Sequence, residues 1–236
     1  MVIDVLIPAL NEQATVGDVV RALVQRSQTK GPALRHIIVI DNGSTDSTTV
    51  VAKAAGAVVL AESERGYGAA CLRGLAFLGK QEVPPDCVVF LDADGSDDVA
   101  DLPQLIDEIY GGADLVVGSR TLGVAEPGSL QPAQRAGNAV ATGLIRAVYG
   151  QHYTDLGPFR AIRYPALRAL GMTDKGYGWT VEMQVKAVRR GLRIQEVPVH
   201  YRRRQGGESK ISATVKGTVQ AGAKILYTIL RHSTQR

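Results

Sequence analysis

Short apolar runs alternate with longer stretches of helical periodicity through the first half of the chain. Val2–Ile7, His36–Ile40, Ala57–Leu60, Cys87–Leu91 and Asp114–Val117 read as strands. Between them, Ala14–Arg26, Asp46–Ala55, Gly68–Leu78 and Leu102–Tyr110 place apolar residues at helical spacing. Near-continuous apolar strands separated by helices predict a parallel sheet covered on both faces. Ligands in such sheets bind at the carboxyl ends of strands, which singles out the loops after Ile7, Ile40 and Leu91.

The second half is less regular. Gly118–Gln134, broken by glycine and proline, reads as a loop, and Arg135–Tyr149 as a helix. Phe159–Ile162 reads as a strand and Gly178–Arg190 as a helix with polar Glu182 and Lys186. Ile194–Val199 is a strand with Pro198 near its end, hence an edge. Ala213–Leu230 is helical, with an apolar face of Val215, Val219, Ala223, Leu226 and Leu230. No repeat or low-complexity tract interrupts the chain. The expected organisation is one domain over residues 1–212 followed by an amphipathic helix over 213–236.

Composition narrows the classes. The 236 residues, 45% hydrophobic, suffice for one large core. Between Lys186 and Lys210 lie eight Lys/Arg against two Asp/Glu, so the net +4 is concentrated there and the remainder is slightly acidic. That segment points to anionic groups held at one place. Aromatic residues are only 5% and no helix carries a basic stripe, which argues against nucleic acid. Cys71 and Cys87 lie in apolar contexts and suit buried thiols in a reducing compartment. No stretch approaches the ~18 apolar residues of a membrane span. The start lacks signal-peptide character, so a cytoplasmic location is expected, peripheral to the membrane if attached at all.

The candidate chemistry begins at Asp92-Ala93-Asp94, where a buried strand ends in two carboxylates one residue apart. Residues i and i+2 of an extended chain point the same way, so both can face one hard cation. Asp97 or Asp98 can equally cap the helix that follows. An EF-hand is excluded, because Gly95 stands fourth and Pro103 twelfth where that loop needs Gly sixth and Glu twelfth. Ile7-Pro8-Ala9-Leu10-Asn11-Glu12 closes the first strand, with Asn11 suited to capping the next helix or Glu12 to lining a nucleotide pocket. In Asp41-Asn42-Gly43-Ser44-Thr45-Asp46, Asn-Gly signals a turn and Asp41 can accept from a base or ribose. Arg65-Gly66-Tyr67-Gly68 half-matches a dinucleotide fingerprint, but Cys71 replaces its third glycine and it follows the third strand, which argues against a Rossmann dehydrogenase. A Walker A sequence is absent. The loop Arg202-Arg203-Arg204-Gln205-Gly206-Gly207-Glu208-Ser209-Lys210 offers arginine forks suited to phosphate oxygens.

In this order, from residue 2 to about residue 215, these segments resemble the family 2 glycosyltransferases of the GT-A fold. Within that family they are most similar to the polyprenyl-phosphate sugar synthases, the dolichyl-phosphate mannose synthase group. Pro8…Asn11-Glu12 resembles that group's P-x-x-N-E. Asp41–Asp46 resembles D-D-G-S-x-D, with Asn42 in place of the second Asp. Arg65–Ala70 is similar to the glycine loop beside the diphosphate, and Asp92-Ala93-Asp94 to the metal motif. Gly118-Ser119-Arg120 and Arg135…Asn138 occupy acceptor-side places. Thr154–Arg160 resembles D-x-x-x-G-F-R, with shorter spacing and Pro158 between glycine and phenylalanine. Gly207–Lys210 matches G-E-S-K.

The resemblance implies a single α/β domain with a mostly parallel Rossmann-like sheet. It implies inverting transfer of a sugar from a nucleotide diphosphate, UDP-sugar before GDP-mannose, to a polyprenyl-phosphate acceptor. Mg²⁺ or Mn²⁺ is the implied cofactor, held by Asp92 and Asp94. Pro8, Ala9, Asn11, Glu12, Asp41, Ser44, Gly66, Gly68, Asp92 and Ala93 are the expected nucleotide-sugar residues. Arg120, Arg135, Arg202 and Lys210 are the expected cations for the acceptor phosphate, with Arg202 also on the reaction path. If the acceptor is instead a hydroxyl on a soluble molecule or glycan, Asp155 or Glu182 must take its proton. A nucleotidyltransferase fits less well, because Pro8–Glu12 has neither glycine nor a basic residue. A non-catalytic nucleotide-sugar binder is the remaining alternative. The basic loop and the apolar face of the last helix favour weak, reversible membrane contact, and packing of that helix on its own core is the competing expectation. The sequence is silent on oligomeric state.

Overall fold

The structure is a computed structural model that describes residues 1–29, 31–206 and 215–233, without the side chains of 215–221 and 232–233. The strands are β1 (Ile3–Ala9), β2 (Leu34–Asp41), β3 (Val58–Ala61), β4 (Cys87–Phe90), β5 (Leu115–Ala125), β6 (Arg160–Arg163) and β7 (Ile194–Tyr201). Among the described residues they form one seven-stranded sheet in the order β3-β2-β1-β4-β6-β5-β7. Every pairing is parallel except the two made by β6. The helices are α1 (Val16–Thr29), α2 (Thr48–Ala54), α3 (Tyr67–Leu78), α4 (Leu102–Tyr110), α5 (Pro132–Tyr149), α6 (Tyr164–Leu170), α7 (Trp179–Arg189) and α8 (Val215–Ser233).

Alternation along the central strands divides the core in two. Val5 and Ile7, Ile37 and Val39, Cys87 and Val89 face the side that packs on α1 and α4. Leu6, Ile38, Ile40, Val88 and Phe90 face α3, α6 and α7, with Ala141 and Ile145 of α5 and Ile229 of α8. Both faces are therefore apolar, which explains the unbroken runs. After β3 the chain returns to the far side of β1, so β1 and β4 lie side by side and their carboxyl ends flank a switch point.

Two expectations are corrected. Residues 118–125 are not loop: β5 continues to Ala125 beside β7, resuming at Val124–His200 after a register shift. Gly123 permits this, since a Cβ there would fall 2.0 Å from the Val199 carbonyl oxygen. The α6 helix was not anticipated, because its seven residues open on Tyr164-Pro165 and show less than two turns of pattern. The edge position expected for β7 is observed. No described helix is long and apolar enough to cross a membrane.

Candidate active site

The carboxyl ends of β1 and β4 open into a cleft of about 470 Å³. Its rear wall is two turns that clamp each other. Asn11 has a left-handed backbone, φ 54°, which Asn tolerates better than most residues. Its N–H donates to Ser44 Oγ at 2.8 Å, and its side-chain oxygen accepts from the Thr45 N–H at 2.8 Å. Glu12 N–H donates to Thr48 Oγ1 at 2.8 Å. Asn11 is thus a strut between turns rather than a helix cap. Asp41 accepts from Ser44 N–H at 3.2 Å.

Asn42 organises the glycine loop. Its amide nitrogen donates to the carbonyls of Glu62 and Glu64 at 3.2 and 2.6 Å, and its oxygen accepts from Gly66 N–H at 2.8 Å. An ionised aspartate could keep only the Gly66 contact and would face two carbonyl oxygens without a proton, so the amide is the fitting residue in this chain.

At the end of β4, Asp92, Asp94 and Asp97 crowd together. The Asp92 N–H donates to Asp97 Oδ2 at 3.1 Å, and Ser96 N–H to Asp94 Oδ1 at 2.9 Å. Burial, then the charges of Asp94 and Asp97, push Asp92 well above the usual carboxylate range. Burial pushes Asp97 up to about 7. A buried carboxylate such as Asp92, whose anion is disfavoured by burial and by neighbouring acids, fits a hard divalent cation. Among the described residues no group of three or more His, Cys, Asp or Glu is arranged to hold a metal by itself. Arg204 reaches in from the chain beyond β7, donating to Glu12 Oε1 and, at 3.2 Å, to Asp94 Oδ2.

Across the cleft, Arg120 and Asp155 form a bidentate pair. Arg120 Nε and Nη2 each donate at 2.7 Å, and the Arg120 N–H donates to the same carboxylate at 2.8 Å. Burial opposes the Arg120 charge, but Asp155 outweighs it and holds the guanidinium pKa above its ordinary value. The guanidinium also lies over the Tyr201 ring, 5.0 Å from its centroid. Asn138 fixes this wall, donating to the Thr154 carbonyl and accepting from Leu156 N–H, both at 3.0 Å. Arg160, fully buried, donates to the carbonyls of Thr180, Leu156 and Gly157.

The expected residues therefore divide. Pro8, Ala9, Glu12, Gly66, Asp92, Ala93, Asp94 and Arg120 line the cleft. Asn11, Asp41 and Ser44 lie in the turns behind it. Gly68 faces away, since a Cβ there would meet the Asp174 carbonyl oxygen at 1.9 Å. Arg135 is exposed on α5 while its neighbours Gln134 and Asn138 line the cleft. Arg202 pairs with Asp98 outside the cleft. Glu182 lies in a separate small pocket with Thr173 and Lys224. Lys210, with the rest of Gly207–Lys210, is outside the described residues. Sequence reasoning missed Tyr67, Tyr201 and Arg204 as lining residues. Arg204 was visible only as one of three successive arginines, and which of them turns inward depends on where β7 ends.

A parallel-rich sheet with paired carboxylates at its switch point defines the GT-A class. The chain belongs to glycosyl transferase family 2, whose profile matches residues 4–171, and is a glycosyltransferase. An uncharacterised glycosyltransferase of Mycobacterium tuberculosis is 35% identical over 221 residues, covering 93% of this chain and 94% of the relative. An undecaprenyl-phosphate mannosyltransferase of Micrococcus luteus is 35% identical over 195 residues, covering 77% of each. Glucosyl-3-phosphoglycerate synthase of M. tuberculosis, solved with Mn²⁺, UDP-glucose and phosphoglyceric acid, has a TM-score of 0.76 at 24% identity, covering 100% of this chain and 80% of that one. At that identity the likeness shows the fold.

Glu182 yields a pH prediction. Burial pushes its pKa up, but Lys186, the Asp174 N–H and Thr173 outweigh this and hold it below the ordinary value. A depressed carboxylate contributes stability above its unfolded pKa and loses it as pH falls through the folded one. Glu182→Gln should cost about 1.5–3 kcal/mol near pH 7 and progressively less below about pH 4. Urea unfolding at both pH values measures this, and an equal loss at both would contradict it.

Proposed function

We propose that the protein is an inverting glycosyltransferase that moves a sugar from a nucleotide diphosphate, UDP-sugar before GDP-mannose, to a polyprenyl-phosphate-type acceptor. The observation that carries this reading is the state of the two candidate bases. Both oxygens of Asp155 are committed to Arg120. Glu182 accepts from Thr173, Asp174 and Lys186 away from the cleft. Neither is poised to take a proton from a hydroxyl. A phosphate acceptor needs none, being anionic near pH 7. Its oxygen attacks the anomeric carbon as the carbon–oxygen bond to the diphosphate breaks and the nucleoside diphosphate leaves.

Asp92 and Asp94 are the residues that would hold Mg²⁺ or Mn²⁺. Bound there, the ion would neutralise charge developing on the leaving group. Pro8, Ala9 and Glu12, backed by Asn11, Asp41 and Ser44, hold the nucleoside, and Gly66 brings backbone close to the donor. Arg120 keeps positive character toward the cleft while Asp155 fixes its direction, which suits orienting an anion without a tight ion pair. Arg135, Arg202 and Lys210 are the further candidate cations for the acceptor phosphate.

The cleft's outer end supports a hydrocarbon tail. It runs between α5 and α8 past Ala133, Gly137, Leu156, Pro158 and Ile225. Neither helix contains Asp or Glu, and Val140, Val148, Tyr227 and Leu230 are exposed on them. Exposed apolar side chains on acid-free helices, together with exposed Arg135 and Arg146 of α5, suit weak docking on the cytoplasmic surface of an anionic membrane. A second reading, transfer to a hydroxyl of a soluble phosphorylated acceptor, is supported by the fold shared with the phosphoglycerate-bound synthase.

Three measurements decide. With Mn²⁺ and a panel of nucleotide sugars, release of nucleoside diphosphate should rise on adding polyprenyl phosphate and not on adding phosphoglycerate. Asp92→Asn or Asp94→Asn should lower kcat/KM by about 10²–10³, and unchanged turnover in both would overturn the assignment. Asp155→Asn should retain part of the activity with the donor KM unchanged. Near-total loss with fold and donor binding intact would favour the hydroxyl reading.

A further inference from the structure

We propose that Arg204 is a built-in counter-ion for the metal carboxylates, surrendered to the donor diphosphate, so that metal and donor enter the site as a pair. The inference rests on the reading that Asp94 binds the ion. The Arg204 fork spans two carboxylates from distant parts of the chain: Nη2 donates to Glu12 Oε1 and Nη1 to Asp94 Oδ2 at 3.2 Å. Its Nε donates to the Gly206 carbonyl at 2.7 Å, which sets the plane of the fork. The side chain is only 21% exposed, so the contacts are made where screening is reduced.

The backbone that carries Arg204 is anchored. Arg202 N–H donates to the Ser96 carbonyl at 2.8 Å, and the Arg203 N–H donates to Glu126 at 2.8 Å. Motion of the side chain alone can therefore open or close the contact. A divalent ion approaching Asp94 without a donor meets a cation already on that oxygen. Displacing Arg204 then costs its bond to Asp94 with nothing offered in return. A diphosphate changes the balance, because its oxygens accept the same planar fork. Arg204 thus moves from carboxylate to phosphate as the ion takes its place. By linkage, nucleotide and metal must then tighten each other by the same factor, and Arg204 supplies part of it.

The test is equilibrium binding of Mn²⁺, read from the free-ion electron paramagnetic resonance signal, with the full chain and with or without UDP. In the wild type Mn²⁺ binds weakly alone and UDP tightens it. Arg204→Gln should bind Mn²⁺ alone about tenfold more tightly, and the UDP–Mn²⁺ coupling factor should fall by about tenfold. Arg204→Lys, which keeps the charge and loses the fork, should fall between the two. A coupling factor unchanged in both variants, or weaker Mn²⁺ binding in Arg204→Gln, would overturn the proposal. Asp94→Asn separates the two failures. If it leaves UDP-dependent Mn²⁺ binding intact, the metal reading itself fails; if it abolishes binding while the Arg204 variants match wild type, only the role of Arg204 fails.

Discussion

The structure is organised around a repulsion. Three aspartates, Asp92, Asp94 and Asp97, stand within six residues at the end of the buried strand β4, and burial with the charge of neighbouring carboxylates disfavours the ionised forms of Asp92 and Asp97. Positive charge close at hand, or a proton held on one of them, offsets the cost of such a cluster. The surrounding cleft supplies that charge from two directions. Arg204 reaches Asp94 from the chain after β7, and Arg120 stands opposite with its direction fixed by Asp155. This balance of buried charge makes the site suited to a ligand that brings both a cation and a diphosphate.

The scaffold explains why the balance sits there. The unbroken apolar strands demand helices on both faces, which forces crossover connections and places loops at the carboxyl end of the sheet. β1 and β4 become neighbours with parallel register from Ile3–Cys87 to Leu6–Phe90, so Pro8 and Asp92 open into the same space. Thr15 Oγ1 donates to the Ala93 carbonyl at 2.8 Å, tying the start of α1 to the same point.

Much of this was legible in the sequence, and the limits were physical. Strands and helices of the first half are local in pattern, so their order and the paired acids at Asp92 and Asp94 could be read directly. The antiparallel β6 and the extension of β5 depend on partners distant in sequence, and no period records a partner. Site residues divide the same way. Residues at or just past the carboxyl end of a strand, such as Pro8 and Asp92, line the cleft. Those whose role depends on what meets them did not reveal it: Asn11 became a strut because Thr45 and Ser44 meet it, and Glu182 was drawn away by Lys186 and Thr173. Among three adjacent arginines only the end of β7 selects Arg204. Asn42 looked like a departure from the motif, yet the two carbonyls facing its amide make it the consistent choice.

The central claim is that the acids after β4 share one divalent ion with the donor. A crystal of the protein with Mn²⁺ and UDP, measured at the manganese absorption edge, tests it without reliance on turnover. The account predicts a single anomalous peak about 2.1 Å from oxygens of Asp92 or Asp94 and of the diphosphate. A peak at other residues, or a diphosphate bound in the cleft with no manganese between it and these aspartates, would contradict it.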